Sequence, residues 1–383
     1  MRSIHLFCLT AGMLSMAGAS SSLAGPVDPD VQLPVRVANI EEASQRLNGW
    51  LAPGHSPSMV VSRPGATFLR LHFSTAYIPD GAWVELTNAS GEVVDRFDAD
   101  DVASGSTGEG YYAASVEGDT TTVTMRHDGS NAGRAFSLVV DSVDVGFASI
   151  TSRAVIGADQ RERPACVLAT DATMYRRSQA VARVYGFGYV GTAWRVGAEN
   201  RMLTNHHVIG NHQNPADFEL WFGHEHAVCG GSNATTAGTK VRGGERLVGD
   251  AGRDFQLFAL NAQEFSSGKV ARYGYLGLDV TPLAVGQPIY IPQHGGGRPK
   301  QIARMDDAGR SCSIASSAGN MRRYACDTEG GSSGSPVIDR QSHRARVLHN
   351  SSDGGLNQGN AIEVIWPSIR PYFANGQVPS SSQ

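Results

Sequence analysis

Cysteine is scarce, five residues in 383. No two are spaced C-x-x-C, so the closely spaced ligand pairs of a structural zinc site are missing. No basic stripe occurs and the formal net charge is −4, which argues against a nucleic-acid partner. No apolar run is long enough to cross a bilayer. There is neither an internal repeat nor a low-complexity tract.

What is present is a chain that is 41% hydrophobic and 18% charged, long enough for two or three domains. Its 45 glycines and 17 prolines predict many turns and hence β structure. The start has the layout of an export signal: Arg2, then a short apolar stretch over 4–16, then small residues leading to Ser22-Leu23-Ala24. Removing residues 1–24 takes Cys8 away and leaves Cys166, Cys229, Cys312 and Cys326. An even count in an exported chain predicts two disulfides, with three connectivities open.

Residues 25–150 read as a small β-sandwich. A helix is expected over 40–47. Strands are expected at 67–73, at 83–87 with 92–97 as a hairpin, at 111–116, at 120–127 and at 136–141. Asp95, Asp98, Asp100 and Asp101 cluster there. They lack the ligand order and turn glycine of a calcium loop, so a solvated loop is the better reading. Residues 151–165, with Arg153, Arg161, Glu162 and Arg163, read as a linker and processing site. Strands resume over 166–375, a helix is expected within 361–373, and 376–383 reads as a flexible tail. Two strand-rich halves with few helices predict an all-β fold of antiparallel barrels preceded by the sandwich.

The chemistry gathers at Gly330-Gly331-Ser332-Ser333-Gly334-Ser335-Pro336. Serine needs a base to become a nucleophile, and acyl transfer needs donors aimed at the developing oxyanion. A glycine-rich loop supplies an adaptable backbone and bare N–H groups. Alone it is an ordinary turn. Two upstream motifs complete it. Leu203-Thr204-Asn205-His206-His207 offers a general base, and Arg253-Asp254-Phe255-Gln256-Leu257 offers a carboxylate to orient that base.

These three motifs, in this order and 47 and 79 residues apart, resemble those of chymotrypsin/trypsin-like serine peptidases, in particular the bacterial glutamyl and lysyl endopeptidases. The resemblance spans about 158–373. It implies a chymotrypsin-like double barrel with a C-terminal helix, a triad of His207, Asp254 and Ser333, and an oxyanion hole from the N–H groups of Gly331 and Ser333. It also implies a protein or peptide substrate and no cofactor. An Asp immediately before the nucleophile, which trypsin-like zymogens pair with a freed N-terminus, is replaced by Ser332. The pairing Cys166–Cys229 is implied by the lysyl enzymes. Cys312–Cys326 is expected because it would staple a hairpin ahead of the nucleophile loop.

The pocket residues implied are Asp327, Thr328 and His349. Asp327 as a buried carboxylate favours a basic residue before the scissile bond. Thr328 and His349, which in glutamyl enzymes bind a substrate carboxylate, offer the acidic alternative. The acidic residue of lysyl enzymes is here neutral Asn357. Three rivals remain. One is an esterase elbow G-x-S-x-G with Ser332 as nucleophile, which lacks its strand–turn–helix context. Another is an inactive binding protein on the same scaffold. The last is a metal site from His224-Glu225-His226 with His206, His207 and His212, for which solvated loops are the better reading.

Overall fold

The computed structural model describes residues 34–105, 110–148, 155–210, 214–353 and 355–382. The expected signal segment, Arg153 and His212 lie outside these residues. No helix among those described is long and apolar enough to cross a membrane.

The first part is two antiparallel sheets. One orders Ala38–Trp50, Ala135–Gly146, Phe68–Tyr77 and Tyr111–Tyr112, with Val116–Glu117 also on Phe68–Tyr77. The other orders Ser58–Ser62, Thr120–His127, Ala82–Asn88 and Val93–Phe97. Alternate residues of each strand point inward. Leu69, Leu71 and Phe73 meet Val84, Leu86, Val123, Met125, Leu138 and Val140 in one buried core.

The helix expected over 40–47 is a strand. Leu47 stands opposite Leu138 and Ile40 opposite Asp144. Ala43, Gln45 and Leu47 are half-buried between exposed neighbours, a period of two, while Ile40 is exposed. Helix-forming Glu, Gln and Arg are overridden by pairing with a strand almost a hundred residues away. The aspartate cluster is a helix start rather than a loop. Asp98 accepts from the backbone of Asp100 and Asp101 and caps the helix Ala99–Gly105. Asp95 accepts from Ala114 N and sits 3.7 Å from Arg242.

The second part is a double barrel. Its first sheet runs Tyr189–Arg195, Val181–Gly186, Glu219–Phe222, Thr239–Asp250, Phe255–Leu260 and Met202–Thr204. The last strand pairs back onto Tyr189–Arg195 and closes the barrel. The second sheet orders Gln301–Ala303, Ile289–Gln293, Pro336–Asp339, Ala345–Ser352, Asn357–Ala361, Met321–Tyr324 and Ile314–Ala318. Bridges Pro288–Ser313 and Met305–Ser311 join its two ends. Trp194, Phe255 and Leu257 of the first barrel share a core with Ile338 and Leu348 of the second. Ile362, Ile365 and Ile369 of the terminal helix Ile362–Ile369 pack into that same core.

Disulfides join Cys166 to Cys229 and Cys312 to Cys326. Two short helices, Pro164–Thr170 and Ala172–Ser178, precede the first barrel strand, Val181–Gly186. The terminal segment is no free tail. Leu278 N donates to Pro379 O (3.0 Å), and Ser382 N to Tyr275 O (3.1 Å). Nor is the expected linker loose at Glu162, which forms a bridge with Ile302 and pairs with Arg304.

The sandwich lies against the first barrel through buried polar contacts. Ser115 donates to Glu219 from its backbone (2.6 Å) and its hydroxyl (2.8 Å), and Tyr185 donates to Asp144 (2.8 Å). Burial alone would raise the Glu219 pKa. Lys240, Arg70 and the Ser115 donors outweigh it and hold the carboxyl below its ordinary value.

Candidate active site

The strand Met202–Thr204 ends at Asn205, and one turn of helix, His206–Ile209, carries His207. Asp254 holds it twice: Oδ1 accepts from the His207 backbone N–H (3.0 Å), and Oδ2 lies 2.7 Å from Nδ1. Asp254 takes a left-handed backbone, φ 44°, tolerated by aspartate better than by most side chains. Asn205 Nδ2 ties the Asp254 carbonyl in place (2.8 Å). A carboxylate fixed at Nδ1 sets the tautomer and leaves Nε2 as the working nitrogen. Nε2 is buried and hydrogen-bonds to no described residue.

The loop 327–335 reaches the first barrel through Thr192. Its N–H donates to Ser333 O (2.9 Å) and its hydroxyl to Gly331 O (2.9 Å), while its carbonyl accepts from Thr204 Oγ1 (2.7 Å). His207 lies three residues beyond Thr204, so this one threonine joins the serine loop to the histidine strand. Gly331 and Gly334 have φ of 93° and 88°, values that require glycine. Gly296 N donates to Gly330 O (2.6 Å), bracing the loop from 294–297.

Ser332 is a structural residue. Its hydroxyl, fully buried, donates to Gln293 Oε1 (2.5 Å) and accepts from Glu329 N (3.1 Å). Both partners hold it inside the loop, an arrangement that speaks against the esterase elbow.

Asp327 is buried, and its carboxylate is already satisfied. Ile156 N donates to Oδ1 (3.0 Å) and Gln160 N to Oδ2 (2.7 Å). Burial nonetheless pushes its pKa up. The expectation of an unpaired carboxylate awaiting a cation is therefore corrected: the segment after the linker pairs it. By contrast, Thr328 Oγ1 and His349 Nε2 are buried and hydrogen-bond to no described residue. Tyr324 OH lies 2.7 Å from His349 Nδ1. Burial, with the neighbouring His207 charge, lowers the His349 pKa to about 3, so the ring is neutral. Asn357 Nδ2 donates to Cys326 O (2.7 Å).

The histidine-rich loop is not solvated as expected. His224 is buried and stacked on Trp221, and Glu225 is buried against Lys300, Tyr175 and Gln179. Among the described residues no three His, Cys, Asp or Glu side chains converge as a metal site.

A feature not legible in the sequence is the buried ion pair of Arg161 with Glu329 (2.5 Å), joined by Arg298. Its only local signal is a second acidic residue, Glu329, in the Gly/Ser loop.

The double barrel and these loops define a serine-peptidase scaffold. Residues 191–345 match the family model described as the trypsin-like peptidase domain. The chain is 28% identical over 339 residues to "Secreted RxLR effector protein 73" of Plasmopara viticola. That match covers 82% of each protein, more than the peptidase part alone. Among solved structures it is similar to a Glu endopeptidase in complex with MPD, with TM-score 0.43 and 20% identity over 57% of this chain and 98% of that one. It is also similar to an M. tuberculosis protease in an inactive form, with TM-score 0.40 and 13% identity over 57% of this chain and 100% of that one.

Proposed function

We propose that the protein is a secreted serine endopeptidase in which Ser333 attacks the substrate carbonyl. His207 takes the Ser333 proton and returns it to the leaving amine. Asp254 orients the ring and stabilises the imidazolium. The N–H groups of Gly331 and Ser333 receive the oxyanion. The observation that carries this reading is the double hold of Asp254 on His207, at backbone and ring. Residues 1–24 act as the export signal, and the sandwich of 25–150 is a prosegment or accessory domain.

The residue preferred before the scissile bond is acidic. Asp327 has its acceptors filled by backbone N–H groups. Thr328 Oγ1 and His349 Nε2 remain as buried groups able to donate to a carboxylate. Donation from Tyr324 OH to Nδ1 would leave the neutral His349 ring with its proton on Nε2.

Fluorophosphonate labelling with mass spectrometry, followed by cleavage profiling on a peptide library, tests both parts. Labelling at Ser333, lost in Ser333→Ala with a fall of about 10⁶ in turnover, supports the peptidase. Labelling of Ser332, or of nothing, sinks it, and the latter leaves a binding protein on a protease scaffold. Cuts after Lys or Arg would overturn the acidic preference.

A further inference from the structure

The strand Tyr189–Arg195 has one edge paired to Val181–Gly186. Backbone groups alternate along a strand, so residues 188, 190, 192 and 194 all present theirs to the other edge. Trp194 there pairs with Leu203, and Thr192 holds the Ser333 carbonyl. Two residues back, about 7 Å along the strand, Val190 pairs with Val35. Next, Gly188 O accepts from Val37 N (2.8 Å) and Ala38 N (3.2 Å). One continuous edge therefore carries first the serine loop and then the chain's own residues 35–38.

Direction adds to position. Val35 faces Val190 and Arg36 faces Tyr189, so this segment begins at the Ser333 end of the edge and runs away from it. In any peptide substrate the acyl half runs N-to-C toward the nucleophile, and the leaving half runs N-to-C away from it. Residues 35–38 have the polarity of a leaving half. Val37 and Ala38 are anchored in a buried cluster with Phe68, Tyr185 and Val190. Ser333 itself has no accessible surface in this form of the chain.

We infer that residues 35–37 occupy the edge 188–192 in the full chain as an intramolecular competitor of the backbone of a substrate's leaving half. The inference rests on the peptidase reading above. An extended backbone is recognised there by strand addition, so the edge takes peptides with little regard to side chain. The sandwich imposes latency from the departure side of the cleft, not by plugging the specificity pocket.

The test compares the full chain with Val35→Pro, which removes the Val35 donor, and with a chain beginning at Val37. Each is assayed on an internally quenched peptide with four residues beyond the scissile bond and on a peptidyl anilide with none. Expected is a rise in kcat/KM of about tenfold on the quenched peptide only, the ratio that one or two net hydrogen bonds represent. The peptide Pro-Val-Arg-Val-Ala-Asn should then inhibit the shortened chain competitively. Equal changes on both substrates, or none, overturn the inference while leaving the peptidase standing. No turnover by any form overturns both.

Discussion

Arg161 Nη1 lies 2.5 Å from Glu329 Oε1, with 1% and 3% of their side chains exposed. The pair welds the segment after the linker to the loop that presents Ser333. A Cβ on Gly295 would sit 2.6 Å from each of these two atoms, so a side chain there would push into the pair. Removing one partner strands a buried charge, which costs about 3–5 kcal/mol. Arg161→Met should therefore lower stability by about 3 kcal/mol in urea titrations, Arg298 retaining part of the pairing. kcat should fall more than KM rises, because the Glu329 carboxylate lies two residues from Gly331, the proposed oxyanion donor. The double variant Arg161→Met/Glu329→Gln should regain much of the stability. A double variant no more stable than the single one would count against this account.

At Gly334 the serine loop lies against Thr192 and Thr204 of the first barrel. A Cβ there would lie 2.0 Å from Thr192 O and 2.4 Å from Thr204 Oγ1, at a φ of 88°. Gly334→Ala must push the serine loop off the strand that leads to His207. A loss of about 3 kcal/mol or more in stability and near-complete loss of turnover are expected. Gly231, with φ 78° and open space around it, provides the control: Gly231→Ala should cost about 1 kcal/mol. Thermal melts and single-turnover assays of the two variants side by side decide whether the contact, rather than the dihedral, matters.

The pocket gives opposite expectations for neighbouring residues. Asp327→Ala orphans the N–H groups of Ile156 and Gln160, so it should cost about 2–3 kcal/mol of stability while leaving cleavage preference unchanged. Thr328→Val and His349→Ala should fold, yet each should lower kcat/KM for Glu substrates relative to Gln by about tenfold or more, a lost hydrogen bond to a charge. A library profile in which Asp327→Ala alone changes preference would restore the basic-substrate reading.

His349 also gives a pH dependence of stability. Its folded pKa of about 3 lies below the unfolded value of about 6.5. The unfolded chain binds the proton first, so stability is complete above about pH 6.5 and falls as pH drops toward 3. The slope is about 1.4 kcal/mol per unit, or about 2 kcal/mol between pH 7 and pH 5. His224 and His294, whose pKa values burial also lowers, act in the same direction. Denaturant unfolding at several pH values should show a shallower decline for His349→Gln than for the parent chain.

Local pattern was enough for much of this. Alternation and turn residues located the hairpin Ala82–Asn88 with Val93–Phe97 and the strand Thr120–His127. Three short motifs in order pointed to the barrel fold and singled out His207 and Asp254, which the structure brings into contact. These signals are readable because period-two burial, glycine dihedrals and chain order are written over a few residues at a time. What the sequence could not specify depended on partners far along the chain. Residues 40–47 read as helix until Ala135–Gly146 claims them as a strand. Asp327 reads as an unpaired pocket carboxylate until Ile156 and Gln160, more than 160 residues earlier, fill its acceptors. His224 and Glu225 read as solvated until Trp221 and Lys300 enclose them. The placing of Val35 beside Val190 belongs to the same class. Backbone hydrogen bonds carry no side-chain signature, so only the tertiary structure could decide which edge that strand would join.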